Sequence, residues 1–420
     1  MGRKKLPSAP ESVDPAPQSG AELQGPEYFE PSLLKQPAAV RQRYFENECI
    51  IEHPYLDKAL DEILHAICSP GEELDLKRLG LMALVIGPTR VGKTTLIKKL
   101  QEKLSERAKK RMLSDPDFIP FAFIDLHGSG RFEWIGYYKA VLRQLRDPFL
   151  DLRIASLRTR DFLEAMEEAL IRRKPYAVIV DEAQHLAKAA SDHMRQEQLD
   201  QLKSIENRTG ISHVLVGTYE MRPFRKANAQ LAGRSIDVHF PRYDATKPKE
   251  AALFRSVLWA LQRQLPVKQE PLLVEKHWEF LYARSIGCIG FLKMHLNLAL
   301  ERALSEGATT VTEDHLRATA PAEDRVNKWM KEALEGEEEL FEREGADERL
   351  LKSLGLREER EAQKAAVTTT LASEDGSSSH RRRRNRKPGD RIPGRDKTGE
   401  HMYEGDDALA DGADEEEAAG

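Results

Sequence analysis

Residues 81–95 read LMALVIGPTRVGKTT, and this stretch decides the fold. The apolar run over residues 81–86 predicts a buried parallel strand, and the apolar spacing over residues 94–104 predicts a helix. Between them, residues 87–94 form the pattern G-x-x-x-x-G-K-T. A strand before this pattern and a helix after it are the context of a phosphate-binding loop, whereas a Gly-rich turn that matches by chance lacks them.

The residues of this loop have separate predicted roles. Gly87 and Gly92 let the backbone bend so that its N–H groups point at phosphate oxygens. The N-terminus of the next helix adds positive potential at the same place. Lys93 is expected to reach the β- and γ-phosphates, and the Thr94 hydroxyl to bind Mg²⁺. The pattern therefore predicts ATP and Mg²⁺ as cofactors.

A second apolar run, residues 176–180, ends in Asp181 and Glu182. Carboxylates at the end of a parallel strand suit an ion bound at that edge of the sheet, so we expect Asp181 to hold Mg²⁺ together with Thr94. Glu182 is the candidate to orient or deprotonate the attacking water in ATP hydrolysis. Two loop carboxylates that cap the next helix are the alternative. The predicted nucleotide-binding set is Gly87, Pro88, Thr89, Arg90, Val91, Gly92, Lys93, Thr94, Thr95 and Asp181.

The composition predicts a soluble chain. It has 420 residues, of which 40% are hydrophobic and 32% charged, enough for a core and for two or three domains. No run of about 18 apolar residues predicts a membrane span, and the polar, Pro-rich start predicts no secretory signal. The cysteines Cys49, Cys68 and Cys288 are far apart, which favours inert thiols in a reducing, cytoplasmic location.

Five segments are predicted along the chain. Residues 1–40 are Pro-rich and polar, which predicts a disordered arm. Residues 41–245 predict an α/β core with a parallel sheet, residues 246–325 a helical lid, and residues 326–363 a charged helical extension. Residues 364–420 predict a disordered tail with a basic cluster and an acidic end.

Strands and helices alternate within the predicted core. Further strands are predicted at residues 121–126, 212–216 and 236–240, and helices at 134–145 and 159–172. Lid helices are predicted at residues 249–265, 275–285, 290–304 and 312–318. Ahead of the core, Ile50, Ile51 and His53 are candidate neighbours of an adenine ring, and ordinary core packing is the equal alternative.

The order of the motifs resembles that of one protein family. The motifs are residues 87–95, VIVDEA at 178–183, VLVGT at 214–218 and GCIG at 287–290. A small helical lid after an α/β core is the layout of AAA+ ATPases. With their spacing, the motifs resemble the TniB/TnsC family of AAA+ regulators of bacterial DNA transposition, which is related to initiator-clade AAA+ proteins. The resemblance covers about residues 41–320.

The resemblance implies an ATPase that forms rings or helical filaments on duplex DNA. Members of the family connect a target selector of the TniQ/TnsD type to a DDE transposase of the TnsB/TniA type, and ATP hydrolysis disassembles them. In some systems the selector is an RNA-guided CRISPR complex. The expected partners are therefore duplex DNA, further copies of this chain, the transposase and the selector, with no membrane.

The resemblance also assigns roles to single residues. Thr218 ends the fourth strand, where a polar sensor faces the γ-phosphate, and a hydroxyl that caps the turn is the alternative. Arg234 lies where the arginine finger of a neighbouring subunit originates. Competing arginines are Arg222, Arg225 and Arg242. Lys293 lies near a second sensor that is more often arginine in the family, and a solvated lysine is the favoured interpretation. The predicted catalytic set is Glu182, Lys93, Thr218 and Arg234.

Any DNA contact must come from local patches, because the net charge is −5 and the pI about 6.2. In the family, such contacts come from the loop after the second strand and from the segment before a later helix. The matching residues are Ser129, Arg131, Lys139, Arg158, Thr159 and Arg160. An ordinary solvated side chain is the alternative for each. The basic cluster at residues 381–387 is interpreted as a further nucleic-acid or partner arm.

Three other classes of function are rivals. They are a replication initiator or helicase loader, a signalling NTPase that acts as a switch without DNA, and a small-molecule kinase. An initiator usually carries a winged-helix domain after the lid, and a signalling NTPase a repeat or effector domain, and the sequence favours neither. Glu182 beside Asp181, together with the helical lid, argues against a kinase.

Overall fold

The computed structural model describes residues 29–68, 82–126, 132–148, 150, 158–187, 192–226, 235–340 and 353. Contacts divide the chain into two compact units, residues 1–342 and 343–420, and the elements below lie in the first. The predicted tail and most of the predicted arm lie outside the described residues. Within the arm, however, Pro31–Lys35 form a 3₁₀ helix.

The described part of the chain contains one sheet of parallel strands. They are β1 (Met82–Ile86), β2 (Phe121–Asp125), β3 (Ala177–Asp181), β4 (Ser212–Gly217) and β5 (Ser235–His239), in the spatial order β2-β3-β4-β1-β5. The three interior strands, β3, β4 and β1, are buried along their whole length. A parallel sheet needs both faces covered, which is why these strands are continuous apolar runs.

Helices cover both faces of the sheet. In chain order the helices are α1 (Ala38–Arg43), which buries no residue and belongs to neither core of the sheet, and then α2 (Pro54–Ile67), α3 (Lys93–Ser114), α4 (Trp134–Gln144), α5 (Thr159–Arg173), α6 (Gln184–Ala187), α7 (Asp192–Thr209) and α8 (Arg222–Lys226). Along β1, Leu84 belongs to the hydrophobic core with α4, α5 and α7, and its neighbour Val85 to the core with α2 and α3. This alternation follows from the two-residue period of a strand.

All described elements that follow β5 are helical. They are α9 (Pro248–Arg263), α10 (Leu273–Lys276), α11 (Trp278–Ser285), α12 (Ile289–Ser305), α13 (Glu313–Ala318) and α14 (Glu323–Leu340). The single helix predicted at residues 275–285 is thus two helices that meet at His277. The helices α9 to α13 share a hydrophobic core of their own. No described helix combines the length and hydropathy needed to cross a bilayer.

His53 connects the segment that precedes α2 to the residues that follow β5. Its Nδ1 lies 2.9 Å from the Tyr243 hydroxyl, and its ring stacks on that of Phe240. His53 is 5% exposed, and Ile51 packs against the lid core. None of Ile50, Ile51 and His53 lines the nucleotide cleft described below, so the core-packing alternative describes them better than adenine contact.

Burial gives His53 a measurable effect on stability. It lowers the pKa of His53 to about 4, because the charged imidazolium is poorly solvated there. The unfolded chain therefore binds more protons between pH 6.5 and pH 4, and the stability contributed by neutral His53 is lost as the pH falls through this window.

We predict that His53→Gln, which keeps a hydrogen-bonding group, reduces this acid sensitivity. Between pH 7 and pH 5 the variant should lose about 2 kcal/mol less unfolding free energy than the parent. Urea unfolding at the two pH values measures the difference. His65 is exposed on α2, the helix that His53 precedes, so His65→Gln is the matched control and should behave as the parent does. Equal pH dependence in all three proteins would contradict the assignment.

Candidate nucleotide site

The predicted phosphate loop lies between β1 and α3, and on one side it packs directly against the backbone of Phe240. A Cβ atom at Gly87 would lie 2.2 Å from the Phe240 carbonyl oxygen, so only glycine fits there. Arg90 and Gly92 have positive φ angles of 60° and 122°, and α3 begins immediately afterwards, at Lys93. Gly92 supplies the left-handed conformation that side chains disfavour. The loop therefore turns sharply and presents the start of α3 to the cleft.

Lys93, the first residue of α3, is buried against this loop. Its Nζ donates to the carbonyl oxygens of Gly87 at 3.1 Å and Pro88 at 2.8 Å. Burial lowers its pKa to about 8, and the nearby Glu182 carboxylate opposes that shift. An ammonium group that is poorly solvated gains more from an anionic ligand than a solvated one does. The position and burial of Lys93 therefore favour binding of an anion.

The acidic residues lie at the carboxyl end of β3, beside the loop. The Glu182 amide donates to Asp181 Oδ1 at 2.8 Å, and Glu182 has a positive φ of 53°. Burial raises the pKa of Asp181. A non-glycine residue in the left-handed region is strained, and such strain clusters at functional sites. The chain therefore turns sharply at Glu182, directly after the end of β3.

Gln184 is a residue of this site that the sequence analysis missed. Its Nε2 donates to the Glu182 carboxylate, and its Oε1 accepts the Thr218 amide at 3.3 Å. The amide side chain therefore links the end of β3 to the end of β4. Its position three residues after Asp181 in the acidic motif was the available signal.

Thr218 lies in the cleft at the end of β4, and its hydroxyl accepts the Glu220 amide at 3.4 Å. That bond caps the 3₁₀ turn Tyr219–Met221, as the alternative interpretation of Thr218 predicted. A hydroxyl keeps a donor when it accepts one bond, so capping does not use up its hydrogen-bonding capacity. The sensor role stays a prediction.

The lid touches the phosphate loop directly. The Gly290 amide, in the first turn of α12, donates to the Arg90 carbonyl at 2.9 Å. Three residues later, Lys293 Nζ donates to the carbonyls of Glu46 at 2.9 Å and Cys49 at 2.6 Å. Lys293 is half-buried, and burial lowers its pKa. The interpretation of Lys293 as a solvated helix lysine was therefore wrong, because it ties α12 to the segment before the core.

These groups surround one cleft of about 1030 Å³. It is lined by Glu46, Thr89, Arg90, Gly92, Lys93, Thr94, Thr95, Asp181, Glu182, Gln184, Thr218, Tyr219, Glu220, Arg222, Gly290, Lys293, Met294, Asn297, Glu332 and Glu335. Most of the predicted nucleotide-binding set is therefore brought together, with Thr94 beside the acidic strand end. The last two residues come from α14, which the sequence analysis did not place at the site.

The donor set fits a magnesium nucleotide. Magnesium in such sites is held by one or two protein groups, with phosphates and water completing the shell, and Thr94 and Asp181 would supply those groups. Among the described residues, no three acids, histidines or cysteines lie close enough together to hold a metal ion by themselves. The Asn297 Oδ1 atom at the cleft is buried with no hydrogen-bond partner in the described structure, and so is open to a ligand donor.

The predicted DNA-contacting residues divide into three groups. Arg158, Thr159 and Arg160 are exposed together around the N-terminus of α5. Lys139 instead holds its ammonium 4.8 Å from the centre of the Phe162 ring and is half-buried. Ser129 and Arg131 lie outside the described residues. Of the described candidates, only the first group is exposed, and its contact with DNA stays a prediction.

The arginine-finger candidates are also separated by the structure. Arg234 and the side chain of Arg225 lie outside the described residues. Arg242 is buried in an ion pair with Glu337 of its own chain, 3.0 Å apart, which withdraws it from a neighbour. Arg222 lines the cleft of its own chain. The assignment of Arg234 stays a prediction.

Comparison with known proteins gives one family match. Residues 77–224 match the family described as AAA domain, and no curated protein matches the chain. Over these residues the chain is similar to AAA domains, and its sheet topology with the helical part that follows confirms the predicted AAA+ fold.

Several solved structures are similar at low identity. The ORC2 protein of Aeropyrum pernix, in ADPNP–ADP complexes, is 18% identical over 66% of this chain and 70% of its own, with a TM-score of 0.47. Drosophila ORC bound to DNA is 13% identical over 75% and 73%, with a TM-score of 0.45. Cdc6p of Pyrobaculum aerophilum is 15% identical over 64% and 67%, with a TM-score of 0.41. Membership of the TniB/TnsC family stays a prediction.

We predict that Gly290→Ala disrupts the contact between lid and loop. The new methyl group would lie 2.3 Å from the Arg90 carbonyl oxygen, so α12 or the loop must shift. The expected cost is about 1–3 kcal/mol of unfolding free energy, with weaker nucleotide binding. Urea unfolding and calorimetric titration with Mg·ADP measure the two effects.

Gly136→Ala is the matched control, because Gly136 also lies inside a helix, α4, with nothing within 4 Å of the added methyl. There the higher helix propensity of alanine should stabilise the protein by up to about 1 kcal/mol. If Gly290→Ala stabilised the protein to the same extent, the close approach of Gly290 to Arg90 would not constrain this position, and the prediction would be wrong.

Proposed function

We propose that the protein is an ATPase of the AAA+ class that assembles on duplex DNA and regulates DNA transposition. The observation that carries the ATPase part is the meeting of Lys93, Asp181 and Glu182 in one cleft at the start of α3 and the end of β3. A buried cation and two carboxylates beside a Gly-rich loop suit a magnesium polyphosphate and little else.

Each residue has a task in hydrolysis. Lys93 binds the phosphates, and Thr94 with Asp181 would hold Mg²⁺, which neutralises phosphate charge when bound. Glu182 orients the attacking water and accepts its proton at the carboxylate. Gln184 holds that carboxylate in place and joins it to Thr218, so that the proton acceptor and the end of β4 move together.

We predict that Glu182→Gln binds ATP but hydrolyses it at least about 100-fold more slowly, because the proton acceptor is lost. Phosphate release measures turnover, and titration with Mg·ADP measures binding. Lys93→Ala is the contrasting variant and should lose nucleotide binding itself. Turnover of Glu182→Gln at the parent rate would remove Glu182 from the mechanism.

The transposition role is supported by the motif resemblance and by the exposed group around the N-terminus of α5. With a net charge of −5, the protein needs a local patch such as this one to hold phosphates, and Arg160 would exchange its ion pair with Glu164 for a phosphate. Repetition of the patch through an oligomer would let many weak contacts add along a duplex. A replication-initiator or helicase-loader role, or a signalling switch without DNA, is the alternative and shares the same ATP site.

We predict that Arg158→Ala/Arg160→Ala weakens ATP-dependent binding to random duplex DNA. The dependence of log affinity on log salt should fall by about 1.8 for each protomer, because two phosphate contacts are lost. Arg302→Ala/Arg317→Ala is the matched control, since these exposed arginines pair with acids four residues away, as Arg160 does. The assay uses the Glu182→Gln background with ATP, ADP or no nucleotide, and negative-stain microscopy.

Three outcomes separate the classes. ATP-dependent rings or filaments on DNA support the proposal. Assembly on DNA that a TniQ-type selector and a DDE transposase leave unchanged favours the initiator alternative. ATP binding with no association with DNA favours the signalling switch and contradicts the proposed role.

A further inference from the structure

The helix α14 lies at the nucleotide cleft, although it follows the lid in sequence. The Thr89 hydroxyl of the phosphate loop donates to Glu332 Oε1 at 2.9 Å, and Arg222 Nη1 donates to the Glu335 carbonyl at 2.7 Å. Glu332 and Glu335 both line the cleft. One helix thus contacts the loop that binds phosphate and the segment that follows β4.

Three tight contacts fix α14 in this position. Glu337 Oε2 accepts from Arg242 Nη2 at 3.1 Å in a buried ion pair, and a Cβ atom at Gly336 would lie 2.1 Å from the Tyr219 ring. The Trp329 ring stacks on Phe291 of α12, with centroids 3.7 Å apart. These contacts, on both sides of Glu332, set which face of α14 is turned to the cleft.

The charge balance of the cleft indicates what α14 does there. Among the described lining residues, six are acidic and four are basic, a formal charge of −2. Glu332 and Glu335 supply that excess among the lining residues, and the cleft lining is neutral without them. Lys331 of the same helix lies 3.8 Å from the Glu335 carboxylate and offsets part of its charge, so Glu332 carries most of the effect. The ligand is itself a polyanion, and carboxylates at the mouth of the cleft repel it even though they are exposed to solvent. The carboxylates of α14 therefore oppose ATP instead of helping to hold it.

We propose that α14 is an intramolecular cover of the nucleotide cleft, which must withdraw before ATP binds with full affinity. The inference rests on the proposed function only in that ATP is taken as the ligand. The apparent dissociation constant is then the intrinsic one divided by the fraction of molecules with α14 withdrawn. A partner that captures α14 would raise ATP affinity without touching the site.

The first test measures nucleotide affinity in the full chain with Glu332→Gln/Glu335→Gln. Glutamine keeps an acceptor for Thr89 but removes both charges, so binding of a non-hydrolysable ATP analogue with Mg²⁺ should become about tenfold tighter. The gain for Mg·ADP should be smaller, because ADP carries less charge. Glu338→Gln, exposed on the same helix and away from the cleft, is the control and should bind as the parent does.

The second test uses hydrogen exchange in the parent protein. Amides of α14 should exchange faster when the ATP analogue is added, because the helix leaves the cleft. Glu337→Gln, which breaks the ion pair with Arg242, should show the faster exchange without nucleotide and bind the analogue more tightly.

The opposite results overturn the cover. Weaker or unchanged affinity in Glu332→Gln/Glu335→Gln, or slower exchange of α14 with nucleotide, would make α14 a part of the binding site. If the parent and every variant fail to bind either nucleotide, the ATPase proposal fails with it. If the parent and the double variant both bind nucleotide with the same affinity, the proposed role of α14 fails but the ATPase proposal stands.

Discussion

Direct packing of backbone on both sides of the phosphate loop is the constraint on which the cleft depends. On one side the Gly87 backbone meets the Phe240 carbonyl, and on the other the Gly290 amide bonds to the Arg90 carbonyl. No side chain separates sheet, loop and lid at these points, so their relative positions cannot change without displacing the loop. A displacement of the lid by even about 1 Å would therefore also move the residues that bind phosphate.

The sheet and the centre of the site could be predicted because their signals are local. The interior strands are continuous apolar runs, and the phosphate loop and acidic strand end are short motifs at fixed spacing. The helix α7 went unpredicted because it is mostly polar, with Leu199, Leu202 and Ile205 as its buried apolar positions. The position of Gln184 in the acidic motif marks it as a candidate, but its role in joining the ends of β3 and β4 depends on a contact that only the fold creates.

Lys293 shows the limit of reading a helix by its pattern alone. A lysine in the first two turns of an amphipathic helix is usually solvated, and its departure from arginine weakened the sensor interpretation. In the fold, its ammonium instead satisfies two carbonyls of the segment before the core. A point charge on a flexible stem suits two separate carbonyls, whereas the planar fork of arginine suits a carboxylate or phosphate. Lysine here therefore fits a role in joining the chain segments around the cleft.

The ion pair between Arg242 and Glu337 helps to fix the position of α14. Burying two charges costs desolvation free energy that their attraction barely offsets, and an apolar pair of similar size would often be as stable. What a buried pair does provide is a single geometry, because any other register leaves a charge unpaired. One helical turn of slippage would move Glu332 away from Thr89 and separate Glu337 from Arg242. The same pair that orients α14 thus also opposes partial displacement of the helix, because a small shift already leaves both buried charges without a partner.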